Sequence, residues 1–87
     1  MLHGIDVSHH NEWIDWDRVK QSGVRFAFIK ASEGNGYIDP LYEQNLQGAL
    51  KYGILPGSYH FFLPRIDPLE QARHYVRVLQ ENAVDAP

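Results

Sequence analysis

The chain has 87 residues, of which 44% are hydrophobic and 22% are charged, with a formal net charge of −3 and no cysteine. This length predicts a single domain, and the composition excludes an intrinsically disordered tail. The acidic balance disfavours nucleic-acid binding, and the absence of cysteine excludes disulfides and thiolate chemistry.

No apolar run approaches the roughly 20 residues that a membrane span requires. The opening letters, MLHGID, carry neither the charged nor the apolar region of a secretory signal peptide. We therefore predict no membrane association, and no signal peptide is visible.

In chain order, three apolar runs rich in β-branched and aromatic residues predict β-strands, at residues 2–7, 24–31 and 54–62. A helix-like pattern follows each run. Because these connections are too long for hairpins, we expect parallel strands joined by right-handed crossovers. The predicted fold class is α/β, with three parallel β/α units.

The predicted helices have recognisable ends. Three aspartates are interpreted as helix caps with no further role: Asp15, Asp39 and Asp67. Pro40 and Pro68 fit the first helical positions, and glycines at 23 and 53 fit helix ends. Trp16, inside the first helix pattern, is expected in the core.

The third helix is predicted to begin with a capping box between Asp67 and Glu70. Apolar residues that recur at spacings of three and four predict its buried face: Leu69, Ala72, Tyr75, Val76 and Leu79. The exposed face would carry Glu70, Arg73, Arg77 and Gln80.

Polar and titratable side chains gather at the ends of the predicted strands. These are Asp6, Ser8, His9 and His10 after the first, Lys30, Ser32 and Glu33 after the second, and Tyr59 and His60 after the third. In parallel α/β folds, ligands bind at the carboxyl ends of the strands. Alternation along the first strand places Asp6 on the face opposite Ile5 and Val7. We therefore expect Asp6 to point into the lumen of a barrel.

Aromatic residues accompany these groups: Trp13, Trp16, Tyr37, Phe61 and Phe62. Rings beside carboxylates suit a sugar, so the pattern favours a carbohydrate ligand. Less specific interpretations stay open, in which Lys30 only neutralises a carboxylate and Glu33 only solvates a loop. Phe61 and Phe62 point to opposite faces, so at least one is expected to pack in the interior.

Two other chemistries are weighed and disfavoured. Asp6, His9, His10 and His60 are all possible metal ligands, but adjacent histidines diverge and no helical His-x-x-x-His or His-x-His spacing occurs, so no metal is predicted. Neither Ser8 nor Ser58 sits in the Gly-x-Ser-x-Gly motif of a serine hydrolase.

Four stretches carry a family resemblance: GIDVSHHN, IDWDRVKQSGVRFAFIKASEG, DPLYEQNLQGALKYGILPGSYHFF and DPLEQARHYV. Together they resemble the family 25 glycoside hydrolases, the Chalaropsis-type lysozymes, over essentially the whole chain. The resemblance implies an irregular β/α barrel that cleaves the β-1,4 bond from N-acetylmuramic acid to N-acetylglucosamine in peptidoglycan. It also implies action outside the cell or at the cell wall.

The resemblance further implies roles for individual residues. Asp6 would be the catalytic aspartate of the first strand, ionised at work, which stabilises the transition state and orients a partner acid. Tyr59 would face the same subsite, and Glu33 would lie near the sugar. His9 and Tyr37, at the same rim, are assigned to substrate binding. No cofactor is expected, and the nucleophile is open because the N-acetyl group of the substrate is a candidate.

One departure from the family pattern concerns the proton donor, which in these enzymes is the glutamate of an Asp-x-Glu motif after the fourth strand. Here Asp85 is followed two positions later by Pro87. We therefore expect residues 1–87 to be the amino-terminal part of a lysozyme barrel, truncated before the fourth strand and inactive by itself. Another segment or self-association would complete the barrel. The alternative is a non-catalytic partial barrel that self-assembles or binds glycan weakly.

Overall fold

A computed structural model describes residues 3–82. It contains four strands, β1 (His3–Val7), β2 (Val24–Glu33), β3 (Tyr37–Ile38) and β4 (Leu55–Phe61). The helices are α1 (Trp16–Gln21), α2 (Tyr42–Lys51) and α3 (Pro68–Glu81), and a single 3-10 turn spans His9–Asn11. The predicted start of the first strand at Leu2 and the segment containing Asp85 and Pro87 lie outside the described residues.

The sheet is centred on β2, with β1 and β4 paired to it in parallel on either side. This arrangement confirms the three parallel strands predicted from the sequence. The short strand β3 was not predicted; it pairs antiparallel with Ser32 and Glu33 at the end of β2. Because Glu33 also pairs with β4, β3 lies on the β1 side of β2, just beyond the end of β1.

The helices cover one face of the sheet. Residues of β2 that point towards them, Ala27, Ile29 and Ala31, are fully buried, and the core also takes Trp16 as predicted. On the opposite face, Phe28, Leu55 and Phe61 are all more than half exposed. The alternation predicted for β1 is confirmed, since Val7 is buried and Asp6 is exposed. The described residues therefore form a two-layer unit whose second sheet face is open.

The predicted caps of α1 and α3 are present in part. Asp15 accepts a hydrogen bond from the Arg18 N–H at 3.2 Å, and Asp67 accepts one from the Leu69 N–H at 3.2 Å. The reciprocal half of the capping box at α3 is not formed, because the carboxylate of Glu70 accepts a hydrogen bond from Asn35. The glycines that follow α1 and α2 both adopt left-handed backbone conformations, which only glycine takes easily (Gly23, φ 92°; Gly53, φ 71°).

The buried face of α3 differs from the prediction. Its buried residues are Gln71, His74 and Val78, while Leu69 and Val76 are about half exposed. Tyr75 and Leu79 pack against the core as predicted, so the apolar period is wrong at Leu69, Ala72 and Val76. The physical reason is that two polar side chains take core positions when their hydrogen bonds are satisfied there. None of the described helices is long and apolar enough to span a membrane.

Candidate functional site

All five residues predicted for the site lie near the carboxyl ends of the parallel strands. Asp6 and Tyr59 lie one and two residues before the ends of β1 and β4, and Glu33 is the last residue of β2. His9 begins the 3-10 turn after β1, and Tyr37 begins β3, where it pairs with Glu33. The chain therefore brings these side chains to one edge of the sheet from five different elements.

Asp6 occupies the open face of the sheet. It lines a shallow depression of about 450 Å³ together with Gly4, Ile5, Phe26 and Phe28. Its carboxylate makes no hydrogen bond to any other residue in the range 3–82, and the residue is exposed. A carboxylate in this strand therefore keeps its hydration and is available to an incoming ligand.

Tyr59 shares this face with Asp6. It lies opposite Lys30 in the pairing of β2 with β4. Burial raises the pKa of the Tyr59 phenol, the charge of Lys30 lowers it, and the charges of Asp6 and Asp39 raise it, so that the pKa lies above its usual value. The phenol is therefore protonated at neutral pH and offers a hydrogen-bond donor near the Asp6 charge.

Glu33 is paired with a buried lysine. The Lys30 ammonium lies 2.7 Å from Glu33 Oε1, and Lys30 is only 5% exposed. The same ammonium lies over the rings of Tyr37 and Phe61, 5.3 and 5.2 Å from their centroids. A buried ammonium requires such partners, because removing a charge from water without compensation is costly. The interpretation of Lys30 as the neutraliser of a nearby carboxylate is thus confirmed.

His9 is held by Asp39, a contact that sequence reasoning missed. Oδ2 of Asp39 lies 3.0 Å from both the backbone nitrogen and Nδ1 of His9, and the Tyr37 hydroxyl lies 3.3 Å from the same Nδ1. Burial by itself raises the pKa of the Asp39 carboxyl, but hydrogen bonds from His9 and Leu41 outweigh burial and hold the pKa below its usual value.

The interpretation of Asp39 as a helix cap with no further role is therefore wrong. It does accept a hydrogen bond from Leu41 N–H at 2.9 Å, yet it is 2% exposed and anchors the turn after β1. The signal for this role in the sequence is weak, since an Asp-Pro pair ahead of a helix is typical of a cap.

Other residues from the predicted rim lie elsewhere. His60 faces the helices, where its Nδ1 is 2.8 Å from Ser32 Oγ and its Nε2 is 3.0 Å from Gln71 Oε1. Phe61 and Phe62 are 53% and 50% exposed, so the expectation that one of them packs in the interior is wrong. Within residues 3–82, no three acidic or histidine side chains are close enough together to hold a metal ion.

The family model of glycosyl hydrolases family 25 matches residues 5–87. The chain belongs to glycosyl hydrolase family 25. The resemblance seen in the sequence is thereby confirmed. Among solved structures, a family 25 glycosyl hydrolase from Bacillus anthracis superimposes with a TM-score of 0.85 at 34% identity, over 88% of this chain and 36% of that one.

Relatives of this family 25 chain include proteins named for their activity. It is 46% identical to lysozyme M1 of Streptomyces globisporus, over 72% of this chain and 21% of that protein. It is 42% identical to the uncharacterised protein YegX of Escherichia coli K12, over 99% of this chain and 34% of YegX. The chain thus spans about a third of the length of the curated relatives that it matches over nearly its whole length.

Proposed function

We propose that this family 25 chain supplies the first three parallel strands of a peptidoglycan-cleaving site. The reaction is hydrolysis of the β-1,4 bond from N-acetylmuramic acid to N-acetylglucosamine, and the site of action is the cell wall. The observation that carries the proposal is an exposed carboxylate, Asp6, on the open sheet face near the protonated phenol of Tyr59. The lysozyme named among the relatives supports the substrate class.

In this proposal Asp6 acts as an anion. Cleavage of a glycosidic bond develops positive charge at the sugar carbon, and a nearby carboxylate stabilises that charge or orients the group that attacks it. The open face leaves space for a sugar beside Asp6, and the exposed ring of Phe28 borders the same depression. Glu33 and Tyr37 would contact the substrate further along the rim.

The proton donor is assigned to residues outside this chain. Of the other carboxylates at the rim, Glu33 is paired with Lys30 and Asp39 is buried with all its hydrogen bonds directed at His9 and Leu41. Neither side chain is free to protonate a leaving oxygen. We therefore propose that residues 1–87 are the amino-terminal β/α units of a larger barrel, and that a later strand or a partner chain provides the general acid.

A chimera tests this proposal. The chain replaces the matching segment of the Bacillus anthracis family 25 structure, to which it is similar along 88% of its length. The chimera should clear a suspension of bacterial cell walls, and Asp6→Asn should lower the rate by about a hundredfold or more, as for loss of an electrostatic catalytic group. Asp17→Asn, on the exposed side of α1, is the matched control. If the Asp6→Asn chimera clears the walls at an unchanged rate, the proposal is contradicted.

A second candidate is a partial barrel that assembles with a second copy of itself. It is supported by the outer edges of β1 and β4, which have no strand partner within residues 3–82, and by the exposed Phe28, Leu55 and Phe61. Size-exclusion chromatography of the chain, with light scattering to measure its mass, separates the two candidate functions. A defined dimer without wall clearing favours assembly, and a monomer at micromolar concentration counts against it.

A further inference from the structure

A buried carboxylate, Asp39, lies between β3 and α2 and contacts the turn after β1. The side chain of Asp39 is fully buried, and three donors surround its two oxygens. Oδ1 accepts from the Leu41 N–H, and Oδ2 accepts from the backbone N–H of His9 and from its ring. The lowered pKa of this carboxyl agrees with an ionised group, which can only accept hydrogen bonds.

This arrangement fixes where the proton sits on His9. Because Asp39 only accepts, Nδ1 of His9 must carry the hydrogen that lies between them, in the neutral ring as well as in the cation. In the neutral ring, Nε2 is then the nitrogen without a hydrogen and can accept a hydrogen bond. It makes no hydrogen bond to any residue in the described range, and the side chain is 29% exposed.

The proton on Nδ1 of His9 also determines which hydrogen bonds the Tyr37 hydroxyl can make. The hydroxyl oxygen lies 3.3 Å from Nδ1, whose hydrogen points to Asp39 and which has no lone pair, so the Tyr37 O–H cannot donate to Nδ1 and is left to donate elsewhere. The ring of Tyr37 is held over the Lys30 ammonium, and Tyr37 is 40% exposed. His9 thus offers an acceptor at Nε2 and Tyr37 offers a donor at its hydroxyl, which lies 3.3 Å from Nδ1 of the same imidazole ring.

We propose that Asp39 is a positioning residue that holds His9 in the Nδ1-protonated form, so that Nε2 and the Tyr37 hydroxyl together bind a hydroxyl group of the saccharide. This inference rests on the proposed function and extends it to a residue that contacts no substrate. A sugar hydroxyl both donates and accepts, so it matches a neighbouring acceptor and donor. The N–H and C=O of a trans acetamide point in opposite directions and match such a pair less well.

The first test reads the tautomer and does not depend on activity. In the full 87-residue chain, labelled with ¹⁵N in histidine, two-bond ¹H–¹⁵N spectra should show His9 protonated at Nδ1. His74 is an internal reference, because its Nε2 lies 2.8 Å from the Tyr37 carbonyl oxygen and must donate to it. Asp39→Asn should reduce the Nδ1-protonated population at His9 and leave His74 unchanged. A wild-type His9 protonated at Nε2 and bare at Nδ1 overturns the proposal.

The second test separates ligand binding from support of the fold. His9→Asn keeps a side-chain N–H donor near the position of Nδ1 and removes the Nε2 atom. In the chimera, inactivated by Asp6→Asn, this change should weaken binding of a soluble tetrasaccharide of alternating N-acetylglucosamine and N-acetylmuramic acid by about twofold to tenfold, the loss of one hydrogen bond. His3→Asn, at the far end of β1, is the control and should leave the affinity unchanged.

The outcomes distinguish this inference from the proposed function. If the Asp6→Asn chimera binds the tetrasaccharide and adding His9→Asn leaves the chimera folded with the same affinity, the role of His9 is overturned and the proposed function still stands. If the chimera with Asp6 intact does not clear walls and the Asp6→Asn chimera does not bind the tetrasaccharide, the proposed function is overturned together with the ligand assigned here. The tautomer experiment still decides the positioning role of Asp39 in that case.

Discussion

Two buried amides in this protein should respond very differently to the same truncation. Gln71 is 1% exposed and makes four hydrogen bonds, to the N–H and carbonyl of Leu63, to the carbonyl of Ile66 and to the ring of His60. It thereby ties α3 to the loop that follows β4. Gln71→Ala removes all four bonds and leaves their partners in a site that water reaches poorly.

The expected loss of stability in Gln71→Ala follows from the number of hydrogen bonds that it removes. At about 1 kcal/mol for each net hydrogen bond, four bonds correspond to a loss of about 4 kcal/mol in the free energy of unfolding. A domain of this size has a total stability of roughly 4–13 kcal/mol. The melting temperature should therefore fall by about 15 °C or more, given a shift of roughly 4–8 °C per kcal/mol.

Asn45 is the matched comparison. It is also 1% exposed, but neither Oδ1 nor Nδ2 has a hydrogen-bond partner within residues 3–82. Asn45→Ala removes a polar group whose burial is uncompensated and leaves a small void in its place. These two effects oppose each other, so we expect a change within about 1 kcal/mol.

The measurement is urea unfolding of the wild-type chain and the two variants, followed by far-ultraviolet circular dichroism. A common dependence of the unfolding free energy on urea would show that the midpoints report stability. The reasoning fails if the two variants lose similar stability, because the loss would then depend on burial of the amide and not on its hydrogen bonds. It also fails if Asn45→Ala is the more harmful change.

Three further predictions concern single positions. Gly48→Ala, in the interior of α2, should destabilise the fold by about 1–3 kcal/mol, because the added Cβ would clash with the buried ring of Trp16. Alanine usually favours a helix, so a higher melting temperature of this variant would contradict the prediction. Asp39 has a folded-state pKa below its unfolded value, so its contribution is complete above about pH 4 and disappears as the pH falls further. Thermal melts between about pH 5 and 2 should therefore show a shallower acid loss in Asp39→Asn than in wild type. Asp6→Asn should lower the pKa of Tyr59, because the charge of Asp6 raises that pKa. An ultraviolet titration of tyrosine ionisation that shows no change would contradict the placement of Asp6 and Tyr59 on the same sheet face.

The sequence determined the three parallel strands of the sheet and the side on which Asp6 lies. Strand periodicity of two assigns successive residues to opposite faces, and this rule needs no knowledge of the partner strands. Val7 and Asp6 follow it, and so do the buried Ala27, Ile29 and Ala31 of β2. The caps at Asp15 and Asp67 were predictable for a similar reason, since each acts on a backbone N–H two or three residues away.

Contacts between distant parts of the chain were decided by the tertiary structure. Asp39 and His9 are 30 residues apart, and they meet because β3 lies beyond the end of β1, where the turn after β1 passes. Gln71 and His74 take buried positions that the apolar pattern of α3 does not predict, because their hydrogen bonds are completed by distant partners. A local pattern records what one element prefers, whereas burial of a polar side chain depends on donors and acceptors that only the folded chain brings to it.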